Sequence, residues 1–361
     1  MISKGEKRNS SLDLLKIIGM FLIIAHHYYV HGGFAPVSVD NISKGRIFLE
    51  QVSMYGSWSC DLFALITGFY MIGSRNDGKK RLKKILQLVV EIYFYAIVIF
   101  AILAYKGLAA FSFFNMLRVV FPTLWGNWYI IAYLLFYLLV PYINPLLNQL
   151  SEKDYRRLLV ILFICWSIVP TLTQLDKSWE FSNVDFFFVM YAFGGYYRLH
   201  IYGKKKYANV WNALIGIICF GVAIGSVLLC NYVGIKWQNN SILGCAQYLM
   251  PLYSFVGVIW ALSWFAFFAN VHFYSKLVTY IAGSVFGIYM IHENDFLRPV
   301  IWTIWKPNNL YADNPYGHFF EKLVVIFAGC LLVDMLRRLL FWGIQKIRTS
   351  ILGENRSPSQ T

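Results

Sequence analysis

The chain has 361 residues, 58% hydrophobic and only 14% charged. Soluble domains carry about 25% charged residues, and a mean hydropathy of +0.53 excludes an ordinary soluble enzyme. The net charge of +14 does not indicate a nucleic-acid partner, because the basic residues lie in short clusters between apolar stretches, where membrane topology places them.

Apolar stretches of about 20 residues match a bilayer core of ~30 Å. They predict helices over 12–33, 51–73, 85–105, 127–147, 157–175, 184–202, 208–230, 247–269, 277–299 and 318–342. Lys4, Lys7 and Arg8 precede the first stretch, as in a signal peptide. That stretch runs on too far and no small-x-small cleavage site follows, so it reads as a retained first helix. The pattern predicts an all-α polytopic membrane protein with about ten transmembrane helices, built as one transmembrane domain over 1–351. The polar tail 352–361 is expected to be disordered.

Ten helices place both termini on one side. Of the 32 lysines and arginines, 22 fall on that side, 9 fall opposite, and Lys16 lies inside the first helix. The asymmetry predicts cytoplasmic termini. The runs Lys79-Lys80-Arg81-Leu82-Lys83-Lys84 and Lys204-Lys205-Lys206 dominate the count, and fixing topology is a sufficient role for each. Cys60, Cys165, Cys219, Cys230, Cys245 and Cys330 form no Cys-x-x-Cys pair. They read as small core residues, not as a disulfide framework or zinc site.

Ionisable side chains inside the bilayer are costly and are functional candidates by default. Here they are Asp13, Lys16, His26, His27, Asp61, Glu91 and His292, with His31 at the outer end of helix one. His27 lies 15 residues into the first helix from Leu12, and His292 lies 15 residues into the ninth from Leu277. At 1.5 Å per residue both sit about 22 Å in, at similar depth. Whether they face each other is not readable. His26 and His27 point about 100° apart and cannot share a target. His27 and His31, at i and i+4, share a face. That spacing can hold a metal, but no third ligand is evident and no metal is expected. For any single histidine, a hydrogen-bonded core residue is the competing reading.

Four segments carry a resemblance. Asp13-Leu14-Leu15-Lys16 through Ala25-His26-His27 resembles the first helix of the acyltransferase 3 family, in which a basic residue is followed, after ten others, by a histidine. Lys16 stands where arginine is usual, and the count lands on His27. Lysine keeps the charge but loses bidentate hydrogen bonding. Asp61-Leu62-Phe63-Ala64-Leu65-Ile66-Thr67-Gly68-Phe69 is similar to the family's D-x-F-F-x-x-S-G-F pattern, with Thr67 for serine and Ala64 for phenylalanine. Asn127-Trp128-Tyr129 before Pro141 resembles its aromatic segment. Gly287-Ile288-Tyr289-Met290-Ile291-His292 resembles its G-I-Y-L-x-H element.

The resemblance implies a bacterial plasma-membrane O-acyltransferase. Its donor would be cytoplasmic acyl-CoA, usually acetyl-CoA, and its acceptor a hydroxyl of a surface glycan or a lipid-linked precursor. His27 would serve as general base, with an acyl-histidine route as the alternative. Asp61 and Glu293 are candidates to orient it, and His292 to support the acceptor or the oxyanion. Asn127, Trp128 and Tyr129 would line the acceptor side together with Glu293, although an interfacial aromatic belt accounts for them equally. Lys16, Arg75, Lys80, Arg81 and Lys84 would hold the phosphates of the donor. The competing function is a secondary transporter or lipid-linked glycan flippase, which predicts inverted repeats and broken helices. Neither is visible in the sequence. A structural role in an export complex is a third reading.

Overall fold

The computed structural model describes residues 9–74, 78–122, 128–173, 183–203, 209–305 and 315–351. The predicted tail 352–361, Arg75 and Asn127 lie outside the described residues, as does the side chain of Lys80. Among the described residues the chain is helical throughout, with no strand. In chain order the helices are α1 (Ser11–His31), α2 (Lys44–Met71), α3 (Gly78–Tyr105), the short α4 (Phe113–Val120) and α5 (Trp128–Gln149). α6 (Glu152–Phe163) continues through a π turn into α7 (Val169–Thr173). Then follow α8 (Asn183–Tyr196), α9 (Asn209–Lys236), the short α10 (Asn240–Gly244), α11 (Phe255–Asn270), α12 (Lys276–Ala282), α13 (Val285–His292), α14 (Leu297–Trp305) and α15 (Pro315–Ile351).

Five stretches are each long and apolar enough to cross a membrane: Ser11–His31, Arg81–Tyr105, Trp128–Gln149, Glu152–Thr173 and Asn209–Lys236. The other predicted spans coincide with helices that are short, broken or interrupted by charge. α2 carries Arg46, Glu50 and Asp61, and α15 carries Asp334, Arg337 and Arg338. Leu229 of α9, Val90 of α3 and Leu336 of α15 are among many large apolar side chains left exposed. An apolar surface this extensive needs lipid around it. The chain is a multi-pass membrane protein.

Two predicted boundaries change for identifiable reasons. The eighth span was expected from 247, but α11 starts only at Phe255. Pro251 interrupts the stretch, and Ser254 caps the new start by accepting from the Gly257 amide at 3.1 Å. The ninth was expected as one helix and is broken at Gly283–Ser284 into α12 and α13. Arg338 of α15 fills the break, donating to the Tyr280 carbonyl and the Ser284 hydroxyl at 2.9 Å each. The carbonyl freed by the interruption is thereby satisfied inside the protein.

Small residues set the packing. Gly56 of α2 lies directly against the Leu22 carbonyl of α1, and Gly68 of α2 against the Tyr191 backbone of α8. A side chain at either position would force the helices apart, which is how small residues drive association in lipid. α2 therefore joins two apolar clusters. One gathers α2, α5, α8, α9 and α11, and the other gathers α1, α3, α13 and α15.

α1 and α12 begin at the same level. The Ser10 amide donates to the Phe273 carbonyl at 2.8 Å, and the Ser10 hydroxyl lies 3.0 Å from that of Thr279. Two helices anchored together at their starts and running the same way bring residues of equal count to equal depth.

Candidate active site

That shared origin brings His27 and His292 together: His27 Nδ1 lies 3.0 Å from His292 Nε2. The equal depth read from the sequence becomes a direct contact. His26 turns the other way, onto α2, with Nδ1 2.9 Å from the Ser53 carbonyl and 3.0 Å from its hydroxyl. The choice of His27 over its neighbour thus has a geometric basis.

His292 is fully buried, and its Nδ1 is 2.7 Å from the Ile288 carbonyl. A carbonyl only accepts, so Nδ1 carries the proton. In neutral imidazole the other nitrogen is then an acceptor, which leaves His292 Nε2 to receive the hydrogen bond from His27 Nδ1. His27 is fixed as its Nδ1–H tautomer, and its Nε2 keeps a free lone pair.

Glu293 completes the cluster. Its Oε1 stands 3.2 Å from His27 Nδ1 and 3.4 Å from His31 Nε2, and the side chain is buried. Its Oε2 is held by Arg298 at 3.2 Å. On a continuing helix, Glu293 and His292 would point about 100° apart. α13 ends at His292, and Glu293 leaves the helix at φ −99°, ψ 13°, which lets both adjacent side chains reach the same imidazole. Arg298 carries no motif. Its only signal is a lone cation five residues beyond a buried glutamate.

His27, His31 and Glu293 offer ligand atoms within 4.8 Å of one another, so the third ligand that the sequence lacks does exist in space. Arg298 already counters the single carboxylate, and His27 Nδ1 is committed to His292. A dication here would face a guanidinium across one carboxylate, a poor balance for a hard or borderline metal.

Asp61 is buried, and its Oδ2 has no hydrogen-bond partner among the described residues. It lies deeper than His27. Gly19 packs at the level of Leu62 and Phe63, whereas His26 packs at the level of Gly56. Six or seven residues of helix separate Asp61 from the level of His27, about 10 Å along the axis. The structure therefore brings Glu293, not Asp61, to the imidazole.

Tyr129 joins an aromatic wall leading away from the cluster, with ring centroids 6.1 Å from Tyr289 and 6.4 Å from Phe63. Tyr289 stands edge-on to His292 at 5.8 Å. Trp128 packs on Tyr129 at 5.5 Å.

Lys16 sits 11 residues before His27, about 16 Å along α1. It pairs with buried Asp13 at 3.0 Å and lies over the Tyr70 ring. Asp13 in turn accepts from Thr279 at 3.2 Å, which ties Lys16 to α12. Arg81 is half-buried near the start of α3. Lys84 does not join Lys16. It turns with Lys79 and Lys83 toward α15.

Fold and site together describe a polytopic helical membrane protein with an imidazole of α1 held between a buried histidine and a buried carboxylate at the end of α13. A family profile described as an acyltransferase domain matches residues 9–351, nearly the whole chain, and the chain belongs to this family, acyltransferase 3. Comparison with curated proteins and with solved structures finds no match.

Proposed function

We propose that this membrane acyltransferase moves an acyl group, most simply acetyl, from cytoplasmic acyl-CoA to a hydroxyl of a surface glycan or its lipid-linked precursor. In this reading ten helical segments cross a bacterial plasma membrane and both termini are cytoplasmic, which puts Lys16 near the donor and His27 near the acceptor. The observation that carries the reading is the relay Ile288 carbonyl–His292–His27, which leaves the His27 Nε2 lone pair available.

His27 Nε2 takes the proton of the acceptor hydroxyl as that oxygen attacks the thioester carbonyl. The tetrahedral oxyanion collapses and expels the coenzyme A thiolate, which takes the proton back from His27. The charge on His27 exists only between these two events. Glu293 Oε1, 3.2 Å from Nδ1, is placed to stabilise it, and Arg298 holds that carboxylate in position. Tyr129, Tyr289 and Trp128 supply flat faces for a sugar ring. Lys16 and Arg81 face the donor's phosphates.

The test is surface-glycan acylation by NMR in cells carrying wild-type protein or His27→Ala at matched membrane levels. Loss of the acyl signals with the variant supports the assignment. Equal acylation in both strains and in a deletion strain rejects it and moves transport or flipping of a lipid-linked glycan to first place.

A further inference from the structure

A cavity of about 620 Å³ opens between the first half of α3 and the second half of α15, away from the imidazole cluster. Its rim carries Lys79, Lys83 and Lys84, its wall Leu86 and Val90, and its floor Arg337.

Three features of this groove point to one kind of ligand. The first is charge at the wrong end of a helix. α3 begins at Gly78 with no acidic residue in its first turn, yet the three rim lysines fall within its first seven residues. A helix N-terminus favours anions and disfavours cations; Lys84 is drawn toward Glu91, and neither Lys79 nor Lys83 forms an ion pair among the described residues. The second is polarity changing with depth. Leu86 and Val90 are each 54% exposed, one to two turns below the lysines and on the same face, so the groove is basic at its mouth and apolar inside. The third is that the groove is closed at the back. Arg337 is held by Glu91 at 2.9 Å and by Asp334 at 2.8 Å. Tyr95 donates to Asp334 at 2.5 Å, and both pack directly onto Gly287 of α13. A thioester arm running straight inward from here meets this wall before it reaches His27, which favours a ligand that stays in the groove.

We propose that the groove binds an anionic glycerophospholipid of the cytoplasmic leaflet, with its phosphate among Lys79, Lys83 and Lys84 at the start of α3 and one acyl chain along Leu86 and Val90. Juxtamembrane lysines attract anionic lipid, and a basic pocket between spans is the form a headgroup site takes. The leaflet follows from the orientation given above for both termini, but binding itself is measured without it. Failure of the lipid test leaves acyl transfer untouched, and failure of the His27 test leaves the groove untouched.

The experiment is native mass spectrometry of the full-length protein in detergent, titrated with phosphatidylglycerol or phosphatidylcholine. The wild type retains phosphatidylglycerol in preference to phosphatidylcholine. K79Q/K83Q weakens that retention about tenfold or more, while K153Q/R157Q, on the exposed start of α6, leaves it unchanged. Val90→Trp, which fills the apolar wall without altering charge, weakens it as well. Each variant is used at a melting temperature close to wild type. Equal retention of the two lipids, or unchanged retention in K79Q/K83Q, overturns the proposal. So does displacement of bound lipid one for one by coenzyme A, which would make the groove a nucleotide site, or by millimolar inorganic phosphate, which would make it a simple anion site.

Discussion

Replacing Glu293 by glutamine keeps the size of the side chain and removes its charge, which isolates the stabilisation of His27 during turnover. At 3.2 Å and an effective dielectric constant of about 20, the attraction between the carboxylate and an imidazolium is about 5 kcal/mol. The amide dipole of glutamine recovers part of this. Arg298, 3.2 Å from Oε2, loses its counter-charge and adds a repulsion. A net loss of about 3–4 kcal/mol converts to a fall of about 10²–10³-fold in turnover. The charge on His27 exists only along the reaction path, so kcat falls while KM for acyl-CoA stays within about twofold. The assay is release of coenzyme A thiol from acetyl-CoA in membranes with matched protein levels, paired with NMR of the acylated glycan. Glu293→Asp, which keeps the charge and shortens the reach, recovers part of the loss. The reasoning fails if Glu293→Gln works within threefold of wild type while His27→Ala is inactive, because His27 would then act without its carboxylate.

The same geometry makes three further predictions. His292→Ala removes the acceptor that fixes the His27 tautomer but leaves Glu293 in place, so acylation falls by about 10–100-fold, less than in His27→Ala, as initial rates would show. Asp61→Asn, about 10 Å below the imidazole, changes turnover by no more than about twentyfold by the same Coulomb argument, and a complete loss would restore Asp61 as the orienting group. Dialysis against a strong chelator leaves the rate unchanged, because the His27–His31–Glu293 cluster works through protons. A loss restored by added zinc would assign a metal to it.

Much of this site follows from counting residues along helices. The basic residue and histidine of α1 are separated by ten others, and His27 and His292 lie at equal counts from helices that start together. Depth in a bundle is set by the rise per residue, so a linear sequence records it. Rotation about the helix axis is recorded less well, because 3.6 residues per turn become ambiguous once a helix breaks. The sequence predicts α12 and α13 as one helix, and no reading of an unbroken helix recovers the break at Gly283–Ser284. The guanidinium that satisfies that break, Arg338, lies 55 residues beyond Gly283.

Glu293 shows why the carboxylate that lies beside His27 is not legible in the sequence. As the next helical residue after His292 it would point elsewhere, and the sequence leaves Asp61, nearer mid-membrane by residue count, as an equal candidate. What decides between them is where α13 stops. The Asn294 side chain accepts from the Phe296 and Leu297 amides at 3.0 and 3.2 Å, capping α14 and holding the turn in which Glu293 swings back. The cap, the turn and Arg298 are all local, and each is unremarkable alone. Their combined effect is to place a buried, charge-balanced carboxylate against an imidazole on another helix. The proposed catalytic constellation therefore depends on a helix end as much as on the residues themselves. A variant that extends α13 by removing the Asn294 cap, Asn294→Ala, should lower turnover without touching any ionisable group. If glycan acylation by Asn294→Ala equals wild type at matched levels, the turn is not what aims Glu293.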